Sequence, residues 1–241
     1  VVGPTGSGKS TTLAAMIDRM DQGIGSILAS LESTGRLNNT LVFFLSDNGA
    51  CAEVLPLDGS AEAFFKRRPD LERLKPRNGS DLRVGNEPAI TPGTEDTYAS
   101  YGRAWANLSN TPFRLYKRWT HEGGIATPLI VRWSAGGLHD KGIVRQPFQL
   151  TDILPTILES VGIVAPEVHA GVPQLPIEGT SFAYTFETGA ADQRKTVQYY
   201  EMLGSRALWA DGWTAVAWHR SGTDWAQDPW ELYHQDEDYT Q

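Results

Sequence analysis

A single cysteine, Cys51, stands in the 241 residues of this chain. That excludes an intrachain disulfide framework and a cysteine-rich zinc site. Basic residues are also in deficit: 21 Lys and Arg face 29 Asp and Glu, for a formal net charge of −8. The balance argues against a nucleic-acid or anionic-membrane surface, both of which require basic patches. No stretch approaches the roughly 20 apolar residues of a membrane span. The opening Val1-Val2-Gly3 has no initiator methionine, basic n-region or apolar h-region. It is the expected look of a fragment cut from something longer, so the compartment, bacterial periplasm or cytoplasm, stays open.

What is present is an ordinary globular balance, with 40% hydrophobic and 21% charged residues and enough length for one large or two small domains. Eight Trp and eight Tyr point to packed antiparallel structure ahead of a sugar- or aryl-binding surface.

Apolar residues spaced by three and four from Leu13 to Leu31 predict a helix over residues 13–34, with Gly23 and Gly25 weakening it and Gly35 as its C-cap. The continuous apolar run Thr40-Leu41-Val42-Phe43-Phe44-Leu45 predicts a central parallel strand covered on both faces by helices. It stops at Ser46-Asp47-Asn48-Gly49, a turn at the strand's C-terminal end, where open α/β sheets build their sites. A short helix is expected within residues 61–74, in a long irregular connection of the binding-loop or lid kind. A second buried strand follows at Pro128 to Trp133, and an amphipathic helix at 150–162, with Pro155 in its first turn. From about residue 190, short aromatic runs separated by Gly or Asp predict a small antiparallel sheet.

Gly3-Pro4-Thr5-Gly6-Ser7-Gly8-Lys9-Ser10 satisfies G-x-x-x-x-G-K-[ST]. In such a loop backbone N–H groups cradle phosphates, Lys9 reaches the terminal phosphates and Ser10 holds Mg²⁺. Residues 1–18 resemble the Walker A segment of pilus-retraction and secretion ATPases. The preceding strand is reduced to two valines and no Walker B strand follows. The expectation is therefore a P-loop remnant without its domain, with Gly3, Gly6, Gly8, Lys9 and Ser10 as a nucleotide site only in the alternative reading.

From about residue 14 to 241 the chain resembles the sulfatase (arylsulfatase) family. The resemblance rests on Gly35-Arg36-Leu37-Asn38-Asn39-Thr40 running through Leu45-Ser46-Asp47-Asn48-Gly49-Ala50, on Tyr116-Lys117-Arg118-Trp119-Thr120-His121-Glu122-Gly123-Gly124-Ile125, on Thr127 to Trp133, and on the ending Trp230-Glu231-Leu232-Tyr233. It implies an alkaline-phosphatase-like α/β sulfatase fold, truncated at the N-terminus, with a small C-terminal antiparallel β subdomain. The expected organisation is a P-loop-like remnant at 1–18, a partial α/β domain at 14–190 and the β subdomain at 191–241. Ala14 to Asp18 fits both families, so the two are expected to join there.

On chemistry alone, Asp47 and Asn48 supply two hard oxygen donors suited to Ca²⁺ or Mg²⁺, although Asp-Asn-Gly is most often simply a turn. The resemblance assigns both as ligands of the calcium that polarises a sulfate ester, and Lys117 as the sulfate-contacting cation. It gives Gly123 and Gly124 a tight turn and leaves His121 at the rim or in packing. The family's nucleophile is a formylglycine made from the cysteine of a C-x-P-S-R type motif, and its first two ligands are an Asp-Asp pair. Neither motif occurs here, and Cys51-Ala52-Glu53 is not a substitute. The expected partner is a small-molecule sulfate ester, with no nucleic acid and no membrane span. The expected activity is sulfuric ester hydrolysis by family, with little turnover from this chain alone. Oligomeric state is not encoded in these motifs.

Overall fold

The computed structural model describes residues 9–55, 66, 69, 76–87, 90, 92–100, 102–138, 142–187 and 191–240. The chain divides into two compact units. The first comprises Val1–Ser30, Asn48–Ala126 and Asp238–Gln241; the second comprises Leu31–Asp47 and Thr127–Glu237. The helix expected at 61–74, apart from residues 66 and 69, and the glycines of the P-loop string lie outside the described residues.

Helix α1 runs Lys9–Ser33, straight through Gly23 and Gly25, since two glycines cost only about 1 kcal/mol each in a long helix. It ends as expected at Gly35. The Gly35 φ is 69°, its N–H donates to Glu32 O and the Arg36 N–H donates to Leu31 O, the paired bonds of a Schellman ending.

In the first unit, strands β2 (Arg83–Val84) and β3 (Thr97–Tyr98) pair in parallel, and Leu55 and Val84 form a small core against Leu82 and Tyr98. Helix α2 (Arg103–Ser109) and the single turn α3 (Glu122–Ile125) follow along the chain.

In the second unit, β1 (Val42–Leu45) pairs with β4 (Leu129–Arg132) in antiparallel register, Phe44 opposite Ile130. Both strands stand where the sequence puts them, but the expected central parallel strand covered on both faces is corrected: the sheet among the described residues is a two-stranded antiparallel pair, and no residue of either strand is fully buried. Two-sided apolarity in a sequence fixes neither burial nor strand direction. Phe43 meets the buried Phe182 edge-on, and Phe182 in turn contacts Phe148 and Phe186. A 3₁₀ turn at Leu150–Asp152 with a Gln149/Asp152 capping box leads into α4 (Ile153–Val161), which Gly162 ends in the left-handed region. Pro155 is the third residue of α4, where its missing N–H has no intrahelical role. Strands β5 (Val168–His169) and β6 (Val172–Pro173) form a short hairpin.

Strands β7 (Val197–Met202), β8 (Ser205–Ala210), β9 (Trp213–Ala217) and β10 (Trp230–His234) form an antiparallel meander in the order β10-β9-β8-β7. Its two tight turns, Leu203-Gly204 and Asp211-Gly212, have both residues at positive φ, the type I′ geometry that matches strand twist. Ala207, Trp209, Val216 and Ala217 are buried, whereas Trp213, Trp218, Trp225 and Trp230 remain about half exposed. The aromatic richness thus reflects packing only in part.

Candidate active site

Asp47 and Asn48 follow β1 directly, and the Ser46 N–H donates to Pro128 O at 3.3 Å, carrying the β1–β4 ladder one step further. Asp47 is the last residue of its segment in the second unit and is exposed. Asn48 opens the next segment of the first unit and is half-buried. Its Nδ2 donates to Gly49 O at 3.1 Å. That bond occupies the amide's nitrogen and leaves Oδ1, the atom a hard cation prefers, to serve as acceptor.

Within the first unit, a lattice of backbone bonds gathers the remaining candidates. The Gly49 N–H donates to Gly124 O at 2.9 Å, the Lys117 N–H to Ala50 O at 3.1 Å, and the Gly123 N–H to Arg114 O at 2.9 Å. Asn110, at the end of α2, joins all three strands of chain. Its Oδ1 accepts from the Ala50 N–H at 3.1 Å, and its Nδ2 donates to Leu115 O at 2.9 Å and to Gly123 O at 2.7 Å. Sequence reading assigned Asn110 nothing, since an Asn after a helix is ordinarily a local capping or turn residue.

Gly123 and Gly124 lie in the single helical turn α3. What they allow is close approach: a Cβ on Gly123 would stand 2.2 Å from Arg114 O, one on Gly124 2.0 Å from Trp119 O, and one on Gly49 1.9 Å from Gly123 O. The unusual backbone belongs instead to Leu115 (φ 69°) and Arg118 (φ 86°), which flank Lys117 in a region non-glycine residues seldom adopt.

Lys117 itself is half-buried, and no carboxylate among the described residues pairs with it. An ammonium with no counter-ion among the described residues is available to an anion. Thr120, His121 and Glu122 are 2%, 3% and 7% exposed, and the His121 ring meets Trp119 edge-on at 5.9 Å. His121 is therefore a packed residue, not a rim residue. Cys51 is a half-buried free thiol. Lys9 and Ser10 lie in the first turn of α1.

Asp47 and Asn48 suit a hard divalent cation by donor type, but they are two donors where calcium takes about six to eight. Among the described residues, no group of three or more His, Cys, Asp or Glu could hold a metal. Asp96 is held below its ordinary 3.8 by the Thr94 hydroxyl and then by hydrogen bonding and charge from Arg83, 2.8 Å away.

Comparison with known proteins follows the same lines. The sequence pattern of the family described as Sulfatase matches residues 7–163, so the match begins inside the phosphate-loop string. An uncharacterized sulfatase of Schizosaccharomyces pombe is 31% identical over 228 residues, covering 93% of this chain and 38% of that protein. An arylsulfatase of Klebsiella aerogenes is 34% identical over 171 residues, covering 70% of this chain and 33% of that protein. A solved structure from work on glycosaminoglycan metabolism by Bacteroides thetaiotaomicron superposes with a TM-score of 0.53 at 18% identity, covering 92% of this chain and 38% of that one. The chain thus spans little more than a third of the length of the relatives it matches.

Proposed function

The chain belongs to the sulfatase family, and on that premise we propose that it carries part of a sulfate-ester hydrolysis site. Its fold is alkaline-phosphatase-like, a mix of helix and sheet with a small antiparallel sheet toward the C-terminus. Asp47 and Asn48 hold a divalent cation, Ca²⁺ with Mg²⁺ as the alternative. When bound, that ion polarises a sulfate oxygen of the ester. Lys117 places its ammonium on a second sulfate oxygen and stabilises the negative charge that grows there in the transition state.

The observation that carries this reading is the bond from the Lys117 N–H to Ala50 O. It ties the loop bearing the cation to the segment that begins with Asn48. The bonds of Asn110 then hold that loop in register, so the lysine is positioned before substrate arrives.

The chain contains neither a C-x-P-S-R type motif nor an Asp-Asp pair to complete the ligand set. Turnover therefore needs residues this chain does not contain. Hydrolysis of an aryl sulfate with added Ca²⁺ tests the reading. The chain alone should fail, and a version joined to a sulfatase N-terminal portion carrying both motifs should succeed. Lys117→Ala in the joined protein should then lower kcat by about 10²–10³, the usual effect of removing one charge-stabilising donor. Unchanged kcat would remove Lys117 from the site.

A second reading, nucleotide binding, rests on the complete Gly3 to Ser10 string. It requires ATP–Mg²⁺ to raise the melting temperature of the chain, and Lys9→Ala to abolish that rise.

A further inference from the structure

Acidic residues outnumber basic ones in this chain, yet one stretch reverses the balance. Residues 97–121, between Asp96 and Glu122, hold Arg103, Arg114, Lys117 and Arg118 and no Asp or Glu. In a chain of net charge −8, a local run of cations is where an anion is drawn. Lys117, the cation proposed to contact the sulfate, lies within it.

Arg118 directly follows Lys117. It is exposed, and no carboxylate among the described residues pairs with it. Its φ of 86° lies in the region that glycine enters freely and other side chains resist. An arginine held there keeps its guanidinium at a conformational cost, the kind of backbone strain that collects at binding sites. The loop is fixed on both sides of it. The Lys117 N–H donates to Ala50 O at 3.1 Å and the Trp119 N–H to Tyr116 O at 3.1 Å, while Trp119 O fills the space that a Cβ on Gly124 would need.

We propose that Arg118 is a specificity-determining residue whose guanidinium binds a second anionic group, a carboxylate or a further sulfate, on the ester whose reacting sulfate Lys117 contacts. The preferred substrate class is then a sulfate ester with at least two negative groups, ahead of a neutral aryl sulfate. The inference rests on the reading of Lys117 as the sulfate-contacting cation. Neighbouring Cα atoms lie about 3.8 Å apart, so two long cationic stems rising from them can span the groups of one small molecule. The two side chains suit different tasks. An ammonium is a compact point charge for one oxygen of the reacting sulfate, whereas a guanidinium is a planar fork that grips an oxyanion through two N–H donors.

Because the chain contains no C-x-P-S-R type motif, sulfate esters can be titrated into the full chain without turnover. Calorimetry with Ca²⁺ present compares phenyl sulfate, 4-sulfooxybenzoate and benzene-1,4-disulfate. At low salt at least one of the two dianionic esters should bind about fivefold more tightly than phenyl sulfate, and the tighter of them names the second group. The gap should narrow at high salt. Arg118→Gln should bring the dianionic esters down to the affinity of phenyl sulfate, and Arg118→Lys should restore part of the gap. Arg118→Gly relaxes the backbone at this φ, so it should erase the gap without lowering the melting temperature, which separates lost selectivity from lost folding. Equal affinity of the native chain for all three esters, or a gap that survives Arg118→Gln, would overturn the proposal. Phenyl sulfate binding that disappears in Lys117→Ala would still leave the reading of Lys117 standing, and binding indifferent to Lys117→Ala would count against that reading instead. No binding of any ester would overturn both.

Discussion

The side-chain nitrogen of Asn110 lies 2.7 Å from the carbonyl oxygen of Gly123, donating a hydrogen bond to it. The two residues are 13 apart, and the same amide also reaches Leu115 O and the Ala50 N–H. One neutral side chain therefore satisfies two acceptors and one donor from three separate stretches of backbone.

Asn110→Ala should destabilise the first unit by about 2–3 kcal/mol, because three half-buried backbone groups lose their partner at once. Asn110→Asp should be no better. It keeps an acceptor for the Ala50 N–H but sets carboxylate oxygens against the carbonyls of Leu115 and Gly123. Denaturant unfolding compares the two variants directly. A neutral Asn110→Asp would show that the site needs only the volume of the side chain.

In the second unit, Asp152 is fully buried and Lys195 is 9% exposed, with Nζ 2.7 Å from Oδ2. The carboxylate also accepts from the Gln149 N–H and the Thr180 N–H, and Lys195 donates as well to Gln198. Lys195→Met should cost about 3 kcal/mol, the low end for breaking a buried pair, since Asp152 retains two backbone donors. Asp152→Ala should cost more, because it strands Lys195, both N–H groups and the capping box together. The double variant should be less destabilised than the sum of the singles. Strict additivity in a double-mutant cycle would mean that the pair does not interact.

Asp96 contributes stability that depends on pH. Its folded carboxyl is held below the ordinary 3.8 by Thr94 and Arg83, so the unfolded chain binds the proton more readily. The contribution is complete above the unfolded value and disappears as pH falls through the lowered one. Asp96→Asn should therefore flatten the acid limb of the stability curve below about pH 4 and leave its slope near neutrality alone. Urea midpoints across a pH series will show this. An unchanged acid limb would mean that the Thr94 and Arg83 contacts persist in the unfolded chain.

Much of the local structure was legible in the order of residues. Threefold and fourfold spacing located α1 and α4, unbroken apolar runs located β1 and β4, and short aromatic runs between glycines located β7 to β10. Neither burial nor direction of pairing was legible in β1, because an apolar run has the same composition in either direction and whether or not both its faces are covered. For His121 the sequence left rim and packing both open, and only its neighbours in space decide for packing.

The sequence by itself, through its resemblance to the sulfatases, put forward which residues could bear the chemistry: Asp47 and Asn48 after an apolar strand, and Lys117 five residues before Glu122-Gly123-Gly124. A resemblance of this kind is carried by the order of residues along the chain, which a linear string records. Only the tertiary structure decided that Asn110 binds Ala50, Leu115 and Gly123, and that Gly49, Gly123 and Gly124 are bare so that backbones can touch. It alone decided that Asp152 meets Lys195 across 43 residues. Hydrogen bonds and close approaches act over a few ångströms of space, and the separation of two residues along the chain does not reveal when folding will bring them that near.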